Sequence, residues 1–217
     1  MNYNKIYNDV EKKMSNNKVF YHTIEHINNM LLSCNELIKT EKEFQVLKNK
    51  EINLENTNIN IRIFVPERLF FAILFHDIIY DVKNKYNELD SANYFKSYIQ
   101  KNKIDLSEKD IFVISELIYS TKNHKEINNS KDYICLESMF LIDLDLESLS
   151  YDFNTFKKNN ENIKKEYEIF YTKKQVEKGR INFLKKMLKK DNIYLTNYFK
   201  RKNIIVKENI KKILLEN

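Results

Sequence analysis

The stretch PERLFFAILFHDIIYD, residues 66–81, constrains the fold of this chain more than any other. From Leu69 to Phe75 every residue is apolar. Apolar positions that run all round a helix, instead of along one stripe, describe a central helix with neighbours on every side. Pro66 suits the first helical turn, where its missing N–H costs nothing. His76 and Asp77 follow directly and are carried inward with the helix. A buried aspartate is costly unless it has hydrogen bonds, an opposite charge or a metal. The sequence around Asp77 offers few cations, so a metal is the favoured explanation.

The chain is long enough, at 217 residues, for one large domain or two small ones. A single glycine and a single proline leave no material for a flexible linker, which favours one domain over 1–217. The 42% hydrophobic and 13% aromatic content suffices for a sizeable core and is unlike that of a disordered chain. The net charge is +6 and the pI near 9.0. An anionic partner is one reading of that charge. The other is codon bias: Lys, Asn, Ile, Tyr and Phe abound while Ala and Trp are scarce. Basic residues are dispersed among acidic ones, which argues against a nucleic-acid-binding stripe. Cys34 and Cys135 have no paired spacing and fall in apolar patterns, as free buried thiols do. With no signal-peptide core at the N-terminus and no apolar run near the roughly 18 residues that span a bilayer, a soluble cytoplasmic protein without membrane contacts is expected.

Periodicity predicts an all-α bundle of about eight helices. Residues 3–14 form an amphipathic helix with Tyr3, Ile6, Tyr7, Val10 and Met14 on one face. A second helix runs from about Ile27, with His22 and His26 sharing a face just before it. Residues 40–64 are Asn-rich and weakly periodic, and read as a variable segment, a loop or a short extra helix. After the central helix, a loop leads to a helix starting near Asn87. A further helix covers 108–122, with His124 at its end. Residues 133–149 form another strongly apolar helix, this one carrying Asp143 and Asp145 inside. Residues 153–190 read as one long helix or two, where Gly179 marks a close helix contact or a break. The last helix covers 204–215. No strand pattern is convincing.

Ligand-type residues therefore fall on three buried helices: His26, the pair His76–Asp77, and Asp143 or Asp145. Imidazole with carboxylate suits a transition metal such as Mn, Fe, Co, Ni or Zn, and less readily Mg. Two of each would leave positions open for water and substrate, as a catalytic site requires.

The order H…HD…D resembles the HD superfamily of metal-dependent phosphohydrolases. More closely, the chain is similar to a bacterial and fungal subfamily of predicted metal-dependent HD phosphohydrolases. Five motifs carry the resemblance: Tyr21-His22-x3-His26, His76-Asp77-x2-Tyr80-Asp81, Asn87-Glu88-x2-Ser91-Ala92, Thr121-Lys122-x-His124 and Asp143-x-Asp145-Leu146. Glu166-Tyr167, Gly179-Arg180 and the Glu208–Ile210 segment match further, so the resemblance spans roughly residues 20–212. It implies an HD-type helical domain and a divalent metal (one, or two) held by His26, His76, Asp77 and Asp145. Asp143, two residues earlier on another face, supports from behind or caps a neighbour. Asp77, Glu88 and His124 become the catalytic candidates, and Lys122, Arg180 and His22 the substrate-binding ones. Two-metal members carry extra histidines before the last Asp; here Glu88 stands where one of them would be, which favours one metal. The bland readings are a hydrogen-bonded first-turn residue for His22, a solvated helix end for His124, a helix-dipole acid for Glu88 and solvent charges for Lys122 and Arg180. The implied reaction is hydrolysis of a phosphate ester or anhydride in a small phosphorylated substrate, a nucleotide among the candidates. The alternatives are a di-iron HD-fold oxygenase and a non-catalytic nucleotide-binding HD module. A homodimer is left open.

Overall fold

A computed structural model of the chain describes residues 1–15, 19–124 and 134–216. Its centre is the helix read first in the sequence. Leu69, Phe70, Phe71, Ala72, Ile73, Leu74 and Phe75 are all fully buried in helix α4 (Glu67–Phe75). Each large side chain buried there contributes on the order of 1.5–3 kcal/mol. Around α4 pack α1 (Tyr3–Met14), α2 (Ile24–Thr40), α5 (Asn87–Lys101), α6 (Glu108–Ser120) and α7 (Ile134–Leu146). Pro66 does not enter the first turn; it ends a strand and sets the extended backbone from which α4 starts. His76 caps the C-terminal end of α4, and its own N–H still bonds to the Ala72 carbonyl. Asp77 therefore lies in the turn after the helix, half-buried, not deep within it.

The segment at 40–64 corrects the expectation of a loop. A short helix α3 (Lys42–Gln45) leads into an antiparallel hairpin, β1 (Asn49–Leu54) and β2 (Ile61–Pro66), with Ile52 opposite Ile63 and Leu54 opposite Ile61. Each strand carries two or three apolar residues at alternate positions, a pattern too short to stand out among the asparagines. Ile52, Leu54, Ile63 and Val65 turn inward, and the Phe64 N–H donates to Asn35 Oδ1 of α2. Asn56 and Asn60 take the positive φ that the connecting turn needs, a conformation asparagine tolerates. The protein is still overwhelmingly helical.

The C-terminal third closes over one end of α7. A 3₁₀ turn at Glu147–Ser150 leads to α8 (Phe153–Glu168) and α9 (Lys173–Leu188). Two helices replace one long one because Thr172 starts α9 with a capping box closed by Gln175. After them come α10 (Asn197–Lys200) and α11 (Asn203–Leu215). Gly179 neither breaks α9 nor makes a close contact: no atom lies within 4 Å of where its Cβ would stand. Cys34 is fully buried and free, and burial raises its thiol pKa; the side chain of Cys135 lies outside the described residues. No helix among the described residues is long and apolar enough to cross a membrane.

Candidate metal centre and its cavity

The start of α2, the end of α4 and the end of α7 meet at one point. There His26, His76 and Asp77 each offer a ligand atom, all within 4.8 Å of one another. His76 is 1% exposed. Its Nδ1 donates to the Ile73 carbonyl at 3.0 Å, which orients the ring so that Nε2 faces the cluster. That Nε2 is buried and has no hydrogen-bond partner among the described residues, although Asp77 Oδ2 lies 3.1 Å away.

Asp145 enters from α7. Its Oδ1 is 3.1 Å from His26 Nε2 and 3.7 Å from His76 Nε2, and its Oδ2 is 3.2 Å from His124 Nε2. Asp143 faces elsewhere. It accepts from the N–H groups of Leu195 and Thr196 at 2.8 and 2.7 Å and from the Thr196 hydroxyl at 2.6 Å. The support role expected of it is thus directed at the chain's C-terminal third.

Carboxylates and imidazoles face one another across the cluster: burial works against a charged His76, but Asp77 and Asp145 outweigh it and raise its pKa well above the ordinary imidazole range. Burial alone would raise Asp145, but the imidazoles of His124, His26 and His76 outweigh it and hold the group well below the usual carboxylate range. Burial likewise opposes ionisation of Asp77, and His76 and His22 still bring its pKa down. Two ionised carboxylates facing an orphaned imidazole nitrogen are a donor set that fits a divalent cation.

A cavity of about 560 Å³ opens from the cluster. Of the residues expected to act, His22, Asp77, Glu88, Lys122, His124, Asp145 and Arg180 line it, while His26 and His76 form the cluster behind. His124 reaches Asp145 from a left-handed backbone, φ 47°, a conformation uncommon outside glycine that histidine adopts more readily than most residues. Glu88 starts α5, whose position is fixed by its own motif. Asn87 bonds to both the N–H and the carbonyl of Asp81, and fully buried Ser91 does the same for Ile79. The Glu88 carboxylate itself makes no hydrogen bond or ion pair among the described residues. Lys122 Nζ sits about equally far from two rings, 5.5 Å from Tyr86 and 5.6 Å from Tyr119.

One residue near the cavity was not assigned a role from sequence. Glu166 of α8 is 1% exposed. One of its oxygens accepts from the N–H groups of Phe20, Tyr21 and His22 at 2.7, 2.6 and 3.0 Å, and the other bonds His22 Nδ1 at 2.7 Å. It thereby holds the whole entry to α2. Burial works against a charged His22, but the bond to Glu166 and the nearby Asp77 outweigh it, and the imidazole pKa is raised. The His22 ring stacks on Tyr80 with centroids 3.8 Å apart. The Glu166-Tyr167 match was the available signal. Its partners lie some 145 residues away, beyond the reach of local pattern.

No protein-family model, curated protein or solved structure matches the chain.

Proposed function

We propose that the protein is a metal-dependent phosphohydrolase of the HD type, built on the cluster of His26, His76, Asp77 and Asp145. The observation that carries this reading is the buried Nε2 of His76, aimed at two carboxylates with no hydrogen bond of its own. A buried polar atom left open calls for an explanation, and with carboxylates and a second imidazole converging on it a bound cation supplies one. A divalent cation bound there would supply Lewis acidity towards a phosphoryl oxygen and bring the pKa of a water from about 16 towards 7.

The chain's own residues supply the rest. Asp77 lines the cavity and can accept a proton from an attacking water. His22 faces the same space, is held in orientation by Glu166 and has a raised pKa, so it joins Glu88 and His124 as a candidate donor to the leaving oxygen. Lys122 and Arg180 offer positive charge to a phosphate. Among the described residues no glycine-rich loop stands at the cavity, so side chains would do the anion binding.

The test is metal content per chain after purification without a chelator or a His tag, followed by a phosphoester panel. One equivalent of Mn, Fe, Co, Ni or Zn that disappears in His76→Ala, together with hydrolysis of at least one ester, supports the reading. Failure to bind any of these metals, or Mg, after soaking overturns it, and two irons with oxygen-dependent turnover would replace it by the oxygenase.

A further inference from the structure

Three cations line the cavity, and their surroundings differ. Lys164 Nζ lies 2.7 Å from Glu161 and 3.1 Å from Glu177, so its charge is already answered. Lys122 leans over two tyrosine rings. Arg180 has no carboxylate within ion-pair distance among the described residues. Its Nε donates to Asn160 Oδ1, and Asn160 is itself only 2% exposed. Its guanidinium stands 4.7 Å from the centre of the Phe183 ring. Burial lowers its pKa to about 10, which still leaves it charged at neutral pH. The Phe183 ring favours a guanidinium over its face but gives it no counter-charge, and a buried neutral amide holds it there. With Nε used by Asn160, the two Nη groups remain for an incoming acceptor.

The residue before it is the only glycine in 217. A glycine inside a helix costs about 0.5–1 kcal/mol relative to alanine, and the ordinary reasons for one are missing here. The helix continues through it to Leu188, its φ is not positive and nothing lies within 4 Å of an added Cβ. Gly179 is exposed and lines the cavity, so its missing side chain leaves open space on the α9 wall of the cavity that Arg180 also lines. Tyr21, whose hydroxyl bonds to Ser148 at 2.6 Å, lines the same cavity as Asp77 and Asp145 at one end and Arg180 at the other. The two ends thus share one space of about 560 Å³, the size of a small-molecule site.

We infer that Gly179 and Arg180 form a second anion subsite, and that the substrate is an organic phosphate carrying a further phosphate or carboxylate group. The inference rests on the phosphohydrolase reading for the phosphate that reacts, but the subsite itself requires no metal. Gly179 lets the second anion approach the face of α9, Arg180 answers its charge, and Asn160 is the positioning residue that aims the guanidinium.

The full-length chain tests this in two arms. In the first, the protein is kept in excess chelator and titrated calorimetrically with inorganic phosphate. Wild type binds; Arg180→Gln weakens binding by about tenfold or more. Gly179→Leu does the same while its thermal midpoint stays at or above that of wild type, because the leucine favours helix and meets no neighbour. Unchanged phosphate affinity in either variant overturns the subsite. In the second arm, Mn-loaded protein is titrated with 3-phosphoglycerate and with glycerol phosphate. The diacid binds about tenfold tighter in wild type and loses that advantage in Arg180→Gln; equal affinity in wild type overturns the two-anion substrate. Metal content measured alongside separates the two ideas. A wild type that takes up no metal yet passes the first arm would remove the hydrolase reading and leave the anion subsite standing.

Discussion

Two polar clusters meet at the C-terminal end of α7, and they are built on opposite terms. The first is a latch. Asp143 accepts three hydrogen bonds from Leu195 and Thr196. Asn203 Oδ1 accepts from the N–H groups of Ile193 and Tyr194, and Asn209 donates to the carbonyls of Leu149 and Tyr151. The second is the histidine cluster around Asp145, two residues further on. No backbone N–H reaches the Asp145 carboxylate among the described residues, its contacts are imidazoles, and His76 Nε2 stays unbonded. Burial alone does not separate them, since Asp143 is the more deeply buried acid. What separates them is whether donors and acceptors match. A matched set specifies the fold; a mismatched one that converges on a point awaits a ligand.

The largest effect that would break the comparison lies at Asp145. Asp145→Asn keeps the shape and removes the charge. Metal affinity is expected to fall by more than the roughly 10–100-fold that loss of an outer partner costs, with the helical circular dichroism unchanged. Asp143→Ala is expected to do the reverse. It strands the backbone donors of Leu195 and Thr196, at about 1–3 kcal/mol for each unsatisfied group, so unfolding in urea should come earlier by about 3 kcal/mol overall while the metal equivalent is retained. If Asp143→Ala emptied the metal site and Asp145→Asn destabilised the fold, the two clusters would have been assigned the wrong way round.

How far the sequence reveals each cluster follows from the range of its contacts. The central helix was legible because seven consecutive apolar residues admit no other placement, and the helix at Tyr3–Met14 appears with the bounds its periodicity indicates. His26 and the His76–Asp77 pair stand out in the sequence as ligand-type residues on apolar helices; the preference for Asp145 over Asp143 comes only from the ordered motifs, since periodicity leaves both aspartates open. The hairpin was not legible, since two short alternating runs give little signal and their pairing depends on the α2 surface beneath. Glu166 stands in the sequence only as part of the Glu166-Tyr167 match, with no role attached, and Asn160 is hidden. Each is a polar residue within a heavily charged helix, and only the fold shows that one holds residues 20–22 and the other holds Arg180.

A third acid on α7 sharpens the criterion. Glu137 is 5% exposed, and its Oε2 has no hydrogen-bond partner among the described residues. The nearest cation, Arg68, stands 3.5 Å away and is shared with Asp110 at 2.7 Å. Among the described residues no imidazole reaches it, and its one charged neighbour within ion-pair distance is the arginine it shares with Asp110, so an orphaned atom alone does not mark a metal site. Burial, only partly offset by Arg68, raises its pKa from 4.5 to about 7. Between those values the folded chain keeps a proton that the unfolded chain has released, so stability falls as pH rises. The contribution is fully present below about 4.5 and lost above about 7, and amounts to roughly 3 kcal/mol. Glu137→Gln should remove that fall, and the gap between variant and wild type in urea midpoint should widen from pH 5 to pH 8. Parallel profiles would show that the carboxyl ionises freely where it is.

The smallest effect is the most direct test of whether the two clusters are independent. Thr196 gives Asp143 one hydroxyl and one N–H, and substitution removes only the hydroxyl. Thr196→Ala should therefore cost about 1 kcal/mol. Paired with Asp143→Ala it should show a coupling of about 0.5–3 kcal/mol, as residues in one hydrogen-bond network do. Paired with Asp145→Asn it should be additive to within about 0.5 kcal/mol, because the two share no partner. Asp143 and Asp145 lie within one turn of the same helix, so proximity predicts similar coupling for each. If Thr196 coupled to Asp145 as strongly as to Asp143, latch and cluster would be one network, and the matched latch could not be read as fold alone.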